Sequence, residues 1–199
     1  DGKPLKPGKR GLILVKGRQV MKGYYKRDDL TEAVIDKDGW LNTGDLGMIS
    51  YDEELKIVGR AKDTIVLLGG ENIEPQVIEK AVNASPYIER TVVVGQDKKY
   101  VAALIVPDQQ NVLTYAEENN IVYDNYEELL ETNEIQNLFR TEIDALDNAK
   151  TGFRTCERIF KFVLLTKPFE IGVEINAKQE LMRHKIVKLY KKEYNSLFE

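Results

Sequence analysis

The pattern of strand-like and helical segments changes between residues 60 and 63, and this change constrains how many domains the chain can form. Before it, short β-rich runs such as Gly11–Val20 alternate with turn-forming glycines and aspartates. After it, strand-like runs alternate with amphipathic helical stretches. Residues 1–61 carry 12 basic and 10 acidic side chains, whereas residues 62–199 carry 17 and 23. Pattern and charge therefore both predict two domains, 1–61 and 62–199.

The predicted fold class is α+β. Residues 1–61 predict a small antiparallel β unit with little helix, including a strand pair at 47–50 and 55–58, and such a unit is too short to bury a core by itself. Residues 62–199 predict a compact α+β domain with helices on one face of a sheet. Its predicted strands are 64–68, 90–96, 100–107 and 158–165. Its predicted helices are 74–82, 111–119, 125–130, 133–148 and 185–197.

Composition excludes several classes of function. The net charge of −4 offers no positive field for a polyanion, so we expect no nucleic-acid partner. The lone Cys156 excludes an internal disulfide and a multi-cysteine metal site, and no carboxylate spacing predicts a metal site either. No run approaches the ~20 apolar residues of a spanning helix, and no signal peptide is recognisable. We expect a cytoplasmic protein, and because the first residue is Asp1, a piece of a longer one.

Two long strings carry the most specific information. They are DGWLNTGDLG at Asp38–Gly47 and GRAKDTIVLLGGENIEPQVIE at Gly59–Glu79. Together they resemble the adenylate-forming enzymes, which include acyl-CoA synthetases, luciferases and the adenylation domains of peptide synthetases. The stretch Asn133–Phe169 and the ending Arg183–Ile186 are similar to long-chain fatty acyl-CoA synthetases. The resemblance implies that residues 1–61 end the large AMP-binding domain and that residues 62–199 form the mobile C-terminal domain.

The resemblance also implies an activity for the full-length protein. A ligase of this kind forms an acyl-adenylate and pyrophosphate from ATP and a long-chain fatty acid, and then transfers the acyl group to the thiol of CoA. Its ligands would be ATP or AMP, the fatty acid and CoA, with Mg²⁺ arriving on the nucleotide. Its remaining partner would be the missing N-terminal domain of the same chain. Because that domain holds the phosphate loop and the acyl tunnel, we expect the isolated fragment to be inactive.

The resemblance assigns nucleotide binding to Asp45 and Arg60. A carboxylate at the end of a glycine-containing turn can accept charge-assisted hydrogen bonds from both ribose hydroxyls. The planar guanidinium of Arg60 can reach the same ribose or the phosphate. The alternatives are a turn aspartate that caps its own backbone and an exposed linker arginine.

Two further features match functional positions of the family. Lys62 would be the hinge residue at which the C-terminal domain turns between an adenylating and a thioester-forming arrangement. Gly69, Gly70 and Glu71 would form a loop on the CoA side, where two missing side chains allow close backbone approach. The alternatives are an ordinary linker lysine and a simple strand-to-helix turn.

The chain departs from the long-chain pattern at the catalytic lysine. The family places a lysine six residues before the isoleucine that is Ile186 here, but that position holds Glu180. An acid there would oppose the charge that develops on the phosphate. We expect Lys178 to take over, because on a strand it would share a face with position 180. A lysine from elsewhere, or a weakened adenylation step, remains the alternative.

Other candidates have ordinary interpretations. His184 has no partner triad, which favours a surface or phosphate-side role over a general base. Cys156 predicts a small half-buried side chain. A basic run predicts a solvated helix face, with CoA phosphate or peripheral contact at the inner membrane as weaker options. The run comprises Arg183, Lys185, Lys188, Lys191 and Lys192. For the whole protein, the alternatives are a non-catalytic nucleotide- or acyl-binding relative and a ligase that uses acyl carrier protein as acceptor.

Overall fold

The structure is a computed structural model that describes residues 3–199. The chain divides into two compact units, with the boundary between Thr64 and Ile65, whereas the sequence pattern placed it after residue 61. No helix among the described residues is both long and apolar enough to cross a membrane.

The first unit is built on a three-stranded antiparallel sheet in the order β1-β2-β3. The strands are β1 (Arg10–Val15), β2 (Leu41–Ile49) and β3 (Leu55–Arg60), and a short helix, α1 (Asp28–Val34), precedes β2. The predicted strand pair lies within β2 and β3. However, β2 begins earlier than predicted because it also pairs with β1 at Leu41 and Asn42, before a register irregularity that spans residues 43–45.

The second unit combines a two-stranded hairpin, a three-stranded sheet and helices. Its strands are β4 (Ile65–Val66), β5 (Asn72–Ile73), β6 (Ile88–Val94), β7 (Ala102–Pro107) and β8 (Lys161–Leu164). Its helices are α2 (Pro75–Val82), α3 (Gln109–Glu118), α4 (Tyr126–Glu131), α5 (Asn133–Leu146), α6 (Arg183–Leu189) and α7 (Lys191–Ser196). Strands β4 and β5 pair antiparallel; in the order β6-β7-β8, the first pair is antiparallel and the second parallel.

Several of these helices begin where the sequence supplies a capping group. The side chains of Asp108, Asn125 and Thr132 each accept a hydrogen bond from the backbone N–H three residues further on. Such caps satisfy donors that the first helical turn leaves unpaired. Helix α2 begins instead with Pro75, whose fixed φ suits the first position and whose missing N–H is not needed there.

Helices cover both faces of the β6-β7-β8 sheet, so the prediction of helices on one face is wrong. Ala103 and Ile105 of β7 pack in a core with Phe139 of α5. Leu104, which points to the opposite face, packs in a second core with Ile186 of α6. All six residues of β7 are buried, as expected for a strand covered on both sides.

The C-terminal helical segment also differs from the prediction. The predicted helix 185–197 is two helices, α6 and α7, separated at Tyr190, whose φ of −100° and ψ of 42° are not helical. The Tyr190 hydroxyl donates a hydrogen bond to Glu174 Oε1 over 3.0 Å. The apolar spacing of the segment is helical on both sides of Tyr190, so periodicity alone did not indicate the break.

The carboxyl group of Asp147, at the end of α5, titrates in a buried environment. Its Oδ2 accepts a hydrogen bond from the backbone N–H of Ile159, and its buried Oδ1 has no hydrogen-bond partner among the described residues. Burial raises the pKa of Asp147 above the ordinary value of 3.8. The folded chain therefore holds this proton more tightly than the unfolded chain does. This contribution to stability is complete below pH 3.8 and is lost as the pH rises through the folded-state pKa.

We expect Asp147→Asn to remove this pH dependence, because an amide oxygen can still accept from Ile159 and carries no charge. The free energy of unfolding of the variant, relative to the unmodified chain, should increase as the pH rises above 3.8. Urea unfolding at a series of pH values measures this difference. Asp124→Asn, at an exposed position, is the control and should show no such trend. A constant difference between Asp147→Asn and the unmodified chain at every pH would contradict the prediction.

Candidate functional site

The structure brings Asp45 and Arg60 together. They are cross-strand partners in the register of β2 and β3, and Arg60 Nε lies 2.9 Å from Asp45 Oδ1. The side chains are 28% and 44% exposed respectively, so both can meet a ligand. The ion pair uses one carboxylate oxygen and one guanidinium nitrogen. This ion pair does not itself occupy Asp45 Oδ2 or the two terminal nitrogens of Arg60, which can accept and donate hydrogen bonds respectively.

The turn before Asp45 is held by its neighbours and not by the Asp45 carboxylate. Thr43 Oγ1 accepts the N–H of Asp45 over 3.1 Å and donates to the carbonyl of Ile13 over 2.9 Å. Asn42 Oδ1 accepts the N–H of Gly44, whose φ of +74° is one that glycine adopts without strain. The backbone-capping role that was the alternative for Asp45 is thus filled by Asn42 and Thr43. Sequence reasoning did not single out Thr43, although it lies within the TGD string.

Lys62 lies in a short 3-10 turn, Ala61–Asp63, near the end of the first unit. The chain is extended at Arg60 before the turn, with φ of −110° and ψ of 132°. The side chain of Lys62 is exposed. The hinge role of Lys62 stays a prediction.

Gly69, Gly70 and Glu71 belong to the loop between β4 and β5, here called the glycine loop and defined as Leu67–Glu71. The N–H of Gly70 donates to Leu67 O over 2.9 Å, and the N–H of Leu67 donates to Glu71 O over 3.0 Å. The loop therefore joins strand to strand, and the strand-to-helix turn considered above is not what forms.

Gly70 is the glycine that this loop needs for its shape. At Gly69, the atoms that a Cβ would meet are the end of the flexible Glu71 side chain, which can move aside. Gly70 has a φ of +84°, which other residues adopt with strain. Leu68, between these positions and β4, is 66% exposed. The loop thus presents backbone and one apolar side chain at the surface of the second unit.

Lys178 lies in a tight turn and not on a strand, so the expectation that it shares a strand face with Glu180 is wrong. Asn176 Oδ1 accepts the N–H groups of both Lys178 and Glu180, over 2.8 and 3.0 Å. Asn176 Nδ2 also donates to Glu180 Oε2 over 2.9 Å. Glu180 is therefore a structural partner of Asn176. Lys178 is exposed at the turn.

The segment that leads into this turn is anchored by Glu174, a buried acid that sequence reasoning missed. Its Oε2 accepts the N–H of Glu170 over 2.9 Å, and its backbone carbonyl accepts the N–H of Met182 over 2.8 Å. Its Oε1 accepts the Tyr190 hydroxyl described above. Burial, followed by this hydrogen bond, raises the pKa of Tyr190 to about 12. The hydroxyl therefore stays protonated near neutral pH and keeps the anchor intact.

The structure separates Arg183 from the rest of the basic run. Its side chain is only 17% exposed and forms two hydrogen bonds with the carboxylate of Glu79 in α2. The interpretation of Arg183 as part of a solvated face is therefore wrong. His184 is exposed and Cys156 is half-buried. The exposed members of the run are Lys185, Lys188, Lys191 and Lys192.

The His, Cys, Asp and Glu side chains of the described residues were the candidates for binding a metal ion. Residues 3–199 contain no group of three or more His, Cys, Asp or Glu side chains placed to hold a metal ion. The described residues therefore supply no such ligand set for a resident cation.

Comparison with curated proteins shows relatives along the whole chain. A probable acyl-activating enzyme 16 from Arabidopsis thaliana is 34% identical over 100% of the chain and 28% of its own length. A long-chain-fatty-acid–[acyl-carrier-protein] ligase from Arabidopsis thaliana is 46% identical over 53% of the chain and 16% of its own length. A long-chain-fatty-acid–CoA ligase from Mycobacterium tuberculosis is 40% identical over 55% of the chain and 18% of its own length. The chain thus spans less than a third of these relatives.

Solved structures give the same fold. The adenylation domain of a carboxylate reductase from Mycobacterium chelonae matches with a TM-score of 0.78 at 24% identity, over 95% of the chain and 28% of that protein. A second match is the o-succinylbenzoate CoA synthetase of Bacillus subtilis in complex with its acyl-adenylate intermediate. It has a TM-score of 0.63 at 27% identity, over 94% of the chain and 32% of that protein. The model of the AMP-binding enzyme C-terminal domain matches residues 62–199. The chain therefore belongs to the AMP-binding enzyme C-terminal domain family.

Proposed function

We propose that the chain is the C-terminal part of a long-chain fatty acid–CoA ligase that forms AMP. In the first step a carboxylate oxygen of the fatty acid attacks the α-phosphorus of ATP, and the bond to pyrophosphate breaks. In the second step the thiol sulfur of CoA attacks the acyl carbonyl, its proton is lost, and AMP leaves. The observation that carries the proposal is the Asp45–Arg60 pair, which offers an acceptor and donors on one sheet.

Each candidate residue has a role in this scheme. Asp45 Oδ2 accepts hydrogen bonds from the ribose hydroxyls, and the terminal nitrogens of Arg60 donate to the ribose or phosphate. Lys62 is the hinge residue between the two half-reactions. The ammonium of Lys178 offsets charge on the α-phosphate as the adenylate forms. The glycine loop serves the acceptor in the second step. Mg²⁺ would reach the enzyme with ATP.

Pyrophosphate exchange in the full-length protein tests the proposal. Labelled pyrophosphate should enter ATP only when a long-chain fatty acid such as oleate is present, because exchange requires reversible adenylate formation. Nucleotide binding without exchange would contradict the proposal and support a non-catalytic relative. The 199-residue chain alone should show no exchange, since the relatives it matches are more than three times as long.

A carrier-protein acceptor is the second candidate. It is favoured by the acyl-carrier-protein ligase among the relatives, whose 46% identity over 116 residues exceeds the 40% over 109 residues of the CoA ligase from Mycobacterium tuberculosis. Both acceptors present a phosphopantetheine thiol, so the same chemistry serves either. Acyl transfer to CoA and to a phosphopantetheinylated acyl carrier protein, compared in one assay, decides between them.

Asp45→Ala should weaken ATP use in the full-length protein. Charge-assisted hydrogen bonds contribute about 1.5–3 kcal/mol each, so the loss of one predicts a decrease of roughly 10- to 100-fold in kcat/KM for ATP. Steady-state exchange kinetics measure this decrease. The matched control is Asp52→Ala, an exposed residue of the turn between β2 and β3, which should retain normal kinetics. Equal kinetics for the two variants would exclude Asp45 from nucleotide binding.

A further inference from the structure

The glycine loop is short and exposed, so its conformation depends on neighbouring elements. Its own hydrogen bonds, described above, close the turn but leave the hairpin with two paired residues on each strand. A two-stranded hairpin of this size is only marginally stable by itself. An element that binds an acceptor must be held in place to contribute to the reaction.

The first support comes from the turn between β6 and β7. The N–H of Leu68 donates to Lys98 O over 2.9 Å, and the N–H of Asp97 donates to Val66 O over 3.0 Å. Gln96 Oε1 in addition accepts the N–H of Val66 over 3.0 Å. These contacts fix β4 and the first half of the loop. They do not reach the half that contains Gly70 and Glu71.

The second support is Arg154, from the segment between α5 and β8. Its Nη2 donates to the backbone carbonyl of Asn72, the residue after the glycine loop, over 2.8 Å. The two residues are 82 positions apart in the sequence. Asn72 pairs with Val66 in the hairpin, so Arg154 binds the side of the loop that the first support leaves uncovered.

The guanidinium of Arg154 is itself fixed by Glu157. The same Nη2 lies 2.9 Å from Glu157 Oε1, and the backbone N–H of Arg154 donates to Glu157 Oε2 over 2.8 Å. The Glu157 side chain is almost fully buried. The hydrogen bond to Glu157, and more weakly the charge of Glu71, raise the pKa of Arg154. Arg154 is thus a permanently charged donor in a defined position, with the Glu71 carboxylate in its field.

We infer that Arg154 is a positioning residue that holds the glycine loop for transfer of the acyl group to the acceptor thiol. The inference extends the proposed function, because it gives the segment between α5 and β8 a task in the second half-reaction. Arg154 acts through the backbone of Asn72 in the second unit, whereas the nucleotide pair belongs to the first unit. Its removal should therefore affect thioester formation and leave adenylate formation unchanged.

Hydrogen exchange in the 199-residue chain tests the structural part of the inference without any assay of activity. In Arg154→Gln, the amides of Leu67 and Gly70 should exchange about tenfold faster, because a charge-assisted hydrogen bond next to the loop is lost. Arg158→Gln, four residues further on, is the matched control. Its Nε donates to the carbonyl of Asp147, far along the sequence from the loop, and its loop amides should exchange at the normal rate. Unchanged exchange in Arg154→Gln would overturn the inference.

Separate measurement of the half-reactions in the full-length protein tests the functional part. Arg154→Gln should retain the normal rate of pyrophosphate exchange and transfer the acyl group about tenfold more slowly, or with a correspondingly higher KM for the acceptor. Glu157→Gln leaves Arg154 in place with a weaker partner and should give a smaller effect of the same kind. An equal decrease in both half-reactions, or none in either, would overturn the positioning role. If the unmodified protein shows no pyrophosphate exchange, the proposed function is refuted. The hydrogen-exchange rates of the loop amides still decide whether Arg154 holds the glycine loop.

Discussion

Replacement of Glu79 by alanine is expected to lower the free energy of unfolding of the 199-residue chain by about 3–5 kcal/mol, the range for breaking a buried ion pair by removing one partner. Glu79 lies in α2 and Arg183 at the start of α6, and both side chains are largely buried. Glu79 Oε1 also accepts the N–H of Val93 in β6 over 2.8 Å. The variant removes the carboxylate that pairs with the largely buried Arg183 guanidinium and the acceptor of the Val93 N–H, while Arg183 Nη1 keeps its hydrogen bond to Val93 O.

Urea unfolding measures this loss, and two variants test its cause. Glu117→Ala, at an exposed position of α3, should change stability by no more than about 0.5 kcal/mol. The double variant Glu79→Leu with Arg183→Met removes both charges and should be more stable than Glu79→Ala, because it does not leave the largely buried Arg183 charge without the Glu79 carboxylate. A double variant at least as unstable as the single one would show that the loss comes from packing and not from the uncompensated charge.

The sequence predicted most elements of the second unit, but not strand β5, the break at Tyr190 or the packing of the elements. The run of apolar residues at 101–106 predicted a strand and, because it is continuous, is typical of burial on both faces. This continuous apolar run therefore indicates helices on both faces of the sheet, which is where α5 and α6 pack. The Glu79–Arg183 pair was beyond prediction, because its residues are 104 positions apart and no local pattern links them.

The candidate site was predictable to a different degree in each unit. The resemblance located Asp45 and Arg60, and the register of β2 and β3 makes them neighbours. The turn at Lys178 was not foreseen, since strand alternation was assumed where Asn176 accepts two backbone N–H groups and closes a turn. An Asn side chain that competes for backbone groups in this way is a general cause of such errors.

Replacement of Lys178 by alanine in the full-length protein is expected to lower the rate of adenylate formation by about 10²–10³, the cost of losing one donor that stabilises developing charge. The turn should persist, because Asn176 accepts the backbone N–H of residue 178 whatever its side chain. Presteady-state formation of acyl-adenylate measures the rate. Lys167→Ala, which removes an exposed lysine of the preceding segment, is the control and should form adenylate normally.

The double variant Lys178→Ala with Glu180→Lys separates the two candidate positions for the cation. Asn176 Oδ1 accepts the backbone N–H of residue 180 whatever its side chain, so position 180 keeps its place in the turn. A lysine at position 180 should therefore fail to restore the rate lost in Lys178→Ala. Recovery would show that position 180 reaches the α-phosphate in the adenylating arrangement and that the turn rearranges there. A normal rate in Lys178→Ala itself would exclude Lys178 and assign the charge to a lysine elsewhere in the full-length protein.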